Sequence, residues 1–268
     1  MQMNFRPILM LAAVMAFEAC QTVPITGRRQ LNLVGESTLM GMASTQYSEF
    51  LNQTPPLPPS DGRVKEVREI GQRLASAASE YLRANNAADR VENFEWEYNV
   101  VQDDQVNAWA MPGGKVVVYT GIMKVTQNAT GLAVVMGHEI AHAIARHGNE
   151  RMSQGIALQG AGMTLDVLTA QKPGLARDIF MQSVGIGGQL GMLAYSRQHE
   201  SEADRMGLIF MAMAGYDPRE APKFWERMSQ SSGGGGKPPE ILSTHPSDQR
   251  RMEDLEKFMG DALKYYKP

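Results

Sequence analysis

Residues 132–144 read Leu-Ala-Val-Val-Met-Gly-His-Glu-Ile-Ala-His-Ala-Ile, an apolar run interrupted by two histidines and one glutamate. Leu132, Val135, Met136, Ile140 and Ile144 recur at helical spacing, so a helix is expected from Thr130 onward, with Gly148 as its stop. Four residues of helix turn by about 400°, which sets His138 and His142 on one face about 6 Å apart, close enough for one ion to be held by both. Ionisable groups in so apolar a helix are costly to bury without such a partner. Glu139 comes one residue further round, beside the ion, where its carboxylate can take a proton from water and pass it to a leaving amine. A surface helix with two chance histidines is the alternative, and the apolar flanks count against it. The arrangement is the one that metal-assisted peptide hydrolysis requires.

Composition limits what else can hold the ion. Cys20 is the single cysteine, so an intramolecular disulfide and a cysteine-ligated metal cluster are both excluded, leaving histidine and carboxylate donors. Zinc is the metal expected. A catalytic zinc needs a third protein ligand and an open position for water. A metzincin would place Gly three and His six residues after the second histidine; this chain has Ala145 and Gly148 there, so that class is excluded. His147 falls about 140° round the helix from His142 and is read as a residue interacting with the helix C-terminal dipole. The better candidates lie in His199-Glu200-Ser201-Glu202-Ala203-Asp204-Arg205. Glu200 and Asp204 share a helix face, while Glu202 points about 160° away. The like charges on one face are easier to explain if Glu200 binds zinc and Asp204 orients a ligand histidine. The plain alternative is an acidic, solvated helix with Arg197 and Arg205 as surface partners.

The rest of the chain reads as one mixed α+β architecture with an N-terminal address. Arg6 followed by the apolar run Ile8 to Phe17 has the form of a secretory signal over residues 1–19, too short to span a bilayer. Cys20 follows Ala19 where a bacterial lipobox places its lipidated cysteine, although Phe17 and Glu18 depart from that pattern. Lipid on Cys20 would tether a soluble domain to a membrane. Gln21 is not an aspartate of the kind that retains some lipoproteins at the inner membrane, which favours the outer one. Residues 20–60 are expected to form a tether and an N-terminal helix, Glu36 to Leu51, ending in the proline-rich connector Thr54 to Ser60. Residues 61–268 are expected to be the catalytic domain. It opens on a helix capped by Asp61 with apolar positions Val64, Val67, Ile70 and Leu74. About three short strands follow, Phe94 to Val101, Val106 to Ala110 and Val116 to Thr120, and then helices near 150–170, 176–195, 198–214, 218–229 and 247–264. The uncharged stretch Ile179 to Ser196 carries too many glycines and polar residues for a membrane span and is expected to be a buried helix. Gly233 to Gly236 reads as a loop, and the 19 methionines as core filler. The charges, 26 positive against 29 negative, net −3, exclude an electrostatic case for nucleic-acid binding.

The motifs together carry a resemblance. His-Glu-Ile-Ala-His, followed at a distance by Glu200-Ser-Glu-Ala-Asp204, preceded by Asn107-Ala-Trp-Ala-Met-Pro-Gly-Gly and followed by Thr244-His245-Pro246, resembles metallopeptidase family forty-eight, the gluzincins related to HtpX and the CAAX prenyl protease. The resemblance covers roughly Val106 to Arg251. It implies a mainly helical, zincin-like α+β fold with a small sheet beside the zinc helix. It implies His138, His142 and Glu200 as zinc ligands, one Zn2+ per chain, and Glu139 as catalytic acid and base. The absence of spanning helices resembles the exported, lipoprotein-like bacterial branch. A zinc endopeptidase on the periplasmic side of a bacterial envelope is therefore expected, acting on misfolded or unassembled envelope proteins. A chaperone-like assembly factor with a plugged or structural zinc site is the alternative. Val116, Val117, Val118 and Tyr119 are expected to form an edge strand on which a substrate peptide pairs. His245, on a short turn before a proline, has three open roles: a hydrogen-bond donor in the transition state, a plug displacing the water, or a surface loop residue.

Overall fold

A computed structural model of the chain describes residues 20–160, 162–186, 196–230, 240–245 and 249–267. The signal segment, the tetraglycine tract, Pro246 and residues 187–195 of the stretch 179–196 lie outside them. Strands β1 (Cys20–Thr22) and β2 (Arg29–Leu31) form an antiparallel hairpin ahead of helix α1 (Glu36–Gln53). Helix α2 (Gly62–Ala84) begins where Asp61 accepts a hydrogen bond from the Arg63 amide, the expected cap. Strands β3 (Glu97–Val101), β4 (Ala108–Met111) and β5 (Lys115–Tyr119) make one small mixed sheet. Then follow α3 (Thr120–Thr126), the zinc-motif helix α4 (Ala129–Ile144), α5 (His147–Ala157), α6 (Leu165–Gln171), α7 (Pro173–Ser183), α8 (Arg197–Met213), α9 (Glu220–Gln230), α10 (Glu240–Thr244) and α11 (Gln249–Ala262). The fold is the mainly helical, zincin-like α+β arrangement expected. No described helix is long and apolar enough to cross a membrane.

Both faces of the sheet are buried. Tyr98, Val100, Ala108, Ala110, Val116 and Val118 face a core shared with α2, α4, α8 and α9. Val101, Trp109, Met111, Val117 and Tyr119 face a second core built with α1, α5, α6 and α7. The alternation follows from the period of two along a strand, with apolar residues on both sides because both sides are covered. Trp109 anchors the second core, edge-on to Phe50 at 5.1 Å between ring centroids.

That topology corrects the expected edge strand. The order is β3-β5-β4, so Val116, Val117, Val118 and Tyr119 lie on the central strand. β5 runs parallel to β3, Glu97 opposite Lys115 through Val101 opposite Tyr119, and antiparallel to β4, Ala108 opposite Val118 through Met111 opposite Lys115. Its backbone is engaged on both sides and cannot take an incoming strand. The cause is the turn Pro112-Gly113-Gly114, whose two glycines at φ +83° and +87° fold β4 back along one side of β5. β3 takes the other side. The outer strands are β3, bridged at Val101 by Pro56 of the connector, and β4.

Three of the expected helices also differ. The zinc-motif helix ends at Ile144 and Arg146 takes the left-handed conformation at φ +59°, whereas Gly148 sits inside α5. The expected helix near 150–170 is two, α5 and α6. α7 stops at Ser183, with Gly185 at φ +80° in the turn beyond it, so the helix expected over 176–195 is shorter where it is described.

Candidate active site

Three elements converge on one buried point. α4 and α8 cross with glycine against glycine: a Cβ on Gly207 would stand 3.1 Å from the Gly137 carbonyl carbon and from the His138 amide nitrogen. That close approach brings Glu200 and Asp204 of α8 over His138 and His142 of α4, and His245, directly after α10, closes the group from a third side. His138, His142, Glu200 and His245 each offer one ligand atom, all within 4.8 Å of one another. His138 Nε2 lies 3.0 Å from His142 Nε2, 3.2 Å from His245 Nδ1 and 3.3 Å from Glu200 Oε2. Glu200 Oε1 is 3.3 Å from His142 Nε2 and 3.0 Å from His245 Nδ1. Four ligands at roughly 2.0–2.1 Å from a tetrahedral zinc stand about 3.3 Å apart, so this donor set has the spacing zinc demands.

Glu139 borders the group, with Oε1 buried, without a hydrogen bond among the described residues and 3.5 Å from His245 Nε2. Burial pushes its carboxyl up to about 7; Glu200 adds to the rise, while His245 and Arg251 oppose it. Burial also holds His142 well below its ordinary value, and so in the neutral form that binds a metal. Burial works against ionisation of Glu200 too, yet His245, Arg251 and His138 outweigh it and hold that carboxyl well below the usual range.

Asp204 has the place expected for it: His138 Nδ1 donates to Asp204 Oδ1 at 2.8 Å, which turns Nε2 toward the other donors. Arg251 was not foreseen. From α11 its Nε donates to Asp204 Oδ2 at 2.6 Å, its Nη1 pairs with Glu200 Oε2 at 2.8 Å, and its guanidinium covers the Trp225 ring at 3.5 Å. The like charges of Glu200 and Asp204 are thus offset by one buried cation. An arginine six residues beyond His245 was the only signal in the sequence, too weak to stand alone.

His147 is a second correction. It does not end the zinc-motif helix, where it was expected to meet the C-terminal dipole; it is fully buried as the first residue of α5, with Nδ1 2.8 Å from His142 Nδ1 and Nε2 3.0 Å from Glu202 Oε2. The sharp turn at Arg146 swings it back against the helix it leaves. Nor is the acidic stretch of α8 a solvated face, since Glu200, Glu202 and Asp204 are all buried. Glu202 does point away from the zinc donors, toward His147 and Arg28. His245 is likewise buried, so the surface-loop role falls away.

A profile of peptidase family M48 matches residues 62–259. The chain belongs to this family. It is 31% identical over 270 residues to the mitochondrial metalloendopeptidase OMA1 of Schizosaccharomyces pombe, a match that spans 97% of this chain and 73% of the yeast protein. Against the human mitochondrial metalloendopeptidase OMA1 it is 32% identical over 264 residues, 95% of this chain and 49% of that one. The β-barrel assembly-enhancing protease of Escherichia coli is 28% identical over 224 residues, 82% of this chain and 43% of the relative. The chain thus spans about half the length of the human relative and less of the bacterial one. It is a zinc metalloendopeptidase by family, and the buried His and Glu donors suit that metal.

Proposed function

We propose that the chain is a zinc endopeptidase of the bacterial cell envelope in which His138, His142 and Glu200 hold the metal and Glu139 is the general base. The observation that carries the chemistry is the convergence of those three donor groups beside the buried Glu139 carboxylate, whose Oε1 has no hydrogen bond among the described residues. Zinc bound there supplies a Lewis acid for the scissile carbonyl and brings the pKa of water to about 7. Glu139 accepts the proton of the attacking water and delivers it to the leaving amine. Asp204 and Arg251 keep the His138 ring and the Glu200 carboxylate in place while this happens. β4, the outer strand packed on the zinc helix, is the sheet edge suited to an extended substrate backbone. Residues 1–19 direct export and a lipid on Cys20 tethers the domain, with misfolded or unassembled envelope proteins as substrates. Relatives named for mitochondria and for β-barrel assembly are compatible with a membrane-associated quality-control protease.

The test is cleavage of an unfolded protein by the purified mature chain, beside Glu139→Gln and with zinc removed and restored. Cleavage that needs zinc and is lost in Glu139→Gln, with zinc still bound, is the expected result. Equal cleavage by the Glu139→Gln protein overturns the assignment.

One observation favours a second state of the same site. His245 Nδ1 stands at the corner that a catalytic zinc leaves to water, within 3.2 Å of His138 Nε2 and 3.0 Å of Glu200 Oε1. In that position His245 is a plug, and the chain holds a latent zinc site until the α10 segment moves. A chaperone-like factor with a permanently plugged site would show stoichiometric zinc, no cleavage, and envelope function that survives Glu139→Gln.

A further inference from the structure

Behind His142, on the side away from the zinc donors, lies a buried cluster of charges that the chemistry above does not use. We propose that Arg28, on the N-terminal strap of residues 20–34, is a positioning residue of the metal centre, acting on the ligand His142 through Glu202 and His147. The inference rests on His142 as a zinc ligand.

The hydrogen-bond chain can be assigned proton by proton. His142 turns Nε2 toward the other zinc donors, and its Nδ1 lies 2.8 Å from His147 Nδ1. One hydrogen fits between two ring nitrogens. With His142 neutral and its Nε2 lone pair toward the metal, that hydrogen sits on His142 Nδ1, and His147 accepts it. His147 then carries its own hydrogen on Nε2 and donates it to Glu202 Oε2 at 3.0 Å. Glu202 in turn accepts from Arg28 Nε at 2.8 Å and Nη2 at 3.0 Å, and from Thr26 Oγ1 at 3.0 Å. Arg28 also donates from Nη1 and Nη2 to both oxygens of Glu150, at 2.8 Å and 2.7 Å, and Glu150 Oε2 meets His199 Nε2 at 3.1 Å. The His199 ring stacks on His147, 4.5 Å between centroids.

Zinc-bound histidines usually donate their second nitrogen to a carboxylate or carbonyl, which fixes tautomer and ring orientation. His138 does so directly, through Asp204. His142 reaches its carboxylate one imidazole later, and that carboxylate shares its cation with a second one, Glu150. Two buried carboxylates need a partner with several donors in a fixed fork, which arginine has and lysine lacks. Without it, Glu202 and Glu150 repel and His147 loses the anchor that directs its Nδ1 at His142. The strap lies outside the residues matched by the family profile, 62–259, so a segment ahead of that domain completes the support of its metal ligand.

Zinc affinity by chelator competition and the visible spectrum of the cobalt-loaded protein test this, with circular dichroism to establish folding. Arg28→Gln should weaken zinc about tenfold and shift the cobalt bands, since outer partners of metal ligands typically govern affinity by 10–100-fold. Arg28→Lys, which keeps the charge without the fork, should fall between and carries the test if Arg28→Gln does not fold. In a His147→Asn background the side-chain oxygen can still accept from His142 while the link to Glu202 is cut, so Arg28→Gln should there change affinity less than about twofold. Wild-type affinity and spectrum in folded Arg28→Gln or Arg28→Lys would overturn the proposal, and so would an equal loss in both backgrounds. His142→Ala is the separate control: if it binds zinc as tightly as the wild type, the ligand assignment underneath fails instead.

Discussion

A single residue, His245, fills the fourth place in the buried donor set, and in the proposed latent state it keeps water from the site. Its ring occupies the fourth corner of the donor set and is almost fully buried, so withdrawing it exposes both the metal position and the Glu139 carboxylate. His245→Ala is expected to raise basal cleavage of an unfolded substrate several-fold with little change in zinc content; a fall in cleavage would assign the ring to the reaction itself. Asp204→Asn removes the charge that the His138 Nδ1 hydrogen bond uses and leaves Arg251 with one anionic partner fewer. Zinc affinity should drop about 10–100-fold in that variant, measured by chelator competition. The pairing of His138 with His142, Glu139 beside them and the Glu200–Asp204 spacing were legible in the chain because helix geometry alone sets which of those side chains share a face. His147 was misread because a turn in the left-handed conformation at Arg146 ended the helix before it, and nothing in the residue types required that turn.

At the scale of elements, the crossing of α4 and α8 sets how close Glu200 comes to the two histidines. Gly207→Ala gains up to about 1 kcal/mol of helix propensity, but its methyl would press on the Gly137 and His138 backbone, and overpacking costs about 1–3 kcal/mol. A net loss of about 1 kcal/mol is expected, with weaker zinc binding as the helices separate, read from paired melts of zinc-loaded and zinc-free protein. A variant with raised stability and unchanged zinc affinity would show that the helices tolerate the extra distance. Most helices could be read from spacing to within a few residues, but the helix expected over 150–170 is two and the one expected over 176–195 stops at Ser183. The three strands could be read as well. Their order could not. Lys115–Tyr119 became the centre of the sheet because the Pro112-Gly-Gly turn and the return of β3 claimed both of its sides, and pairing of that kind is a tertiary choice.

Across the whole molecule, the N-terminal strap, α5 and α8 are joined by one buried ionic cluster. Burial would raise the Glu150 and Glu202 carboxyls, but hydrogen bonds outweigh it and bring both down to about 2 from an ordinary 4.5, from Arg28 and then His199 at Glu150, and from His147 and then Arg28 at Glu202. A carboxyl whose folded pKa is depressed stabilises the fold above its unfolded value and loses that contribution as pH falls through the folded one. The stability gap between wild type and Arg28→Gln should therefore be full above about pH 5 and close toward pH 2. Thermal melts across that range measure it, and a gap that stays constant with pH would remove these carboxyls from the account. By itself the sequence determined the chemistry: periodicity fixes which side chains share a helix face, and His, Glu and His on one apolar face leave few uses other than holding a metal. Only the tertiary structure decided what surrounds that chemistry. The central place of β5, the burial of His245 among the ligands, the Arg251 cation between two carboxylates and the reach of Arg28 to His142 all depend on contacts between segments far apart in the chain, which local spacing does not encode.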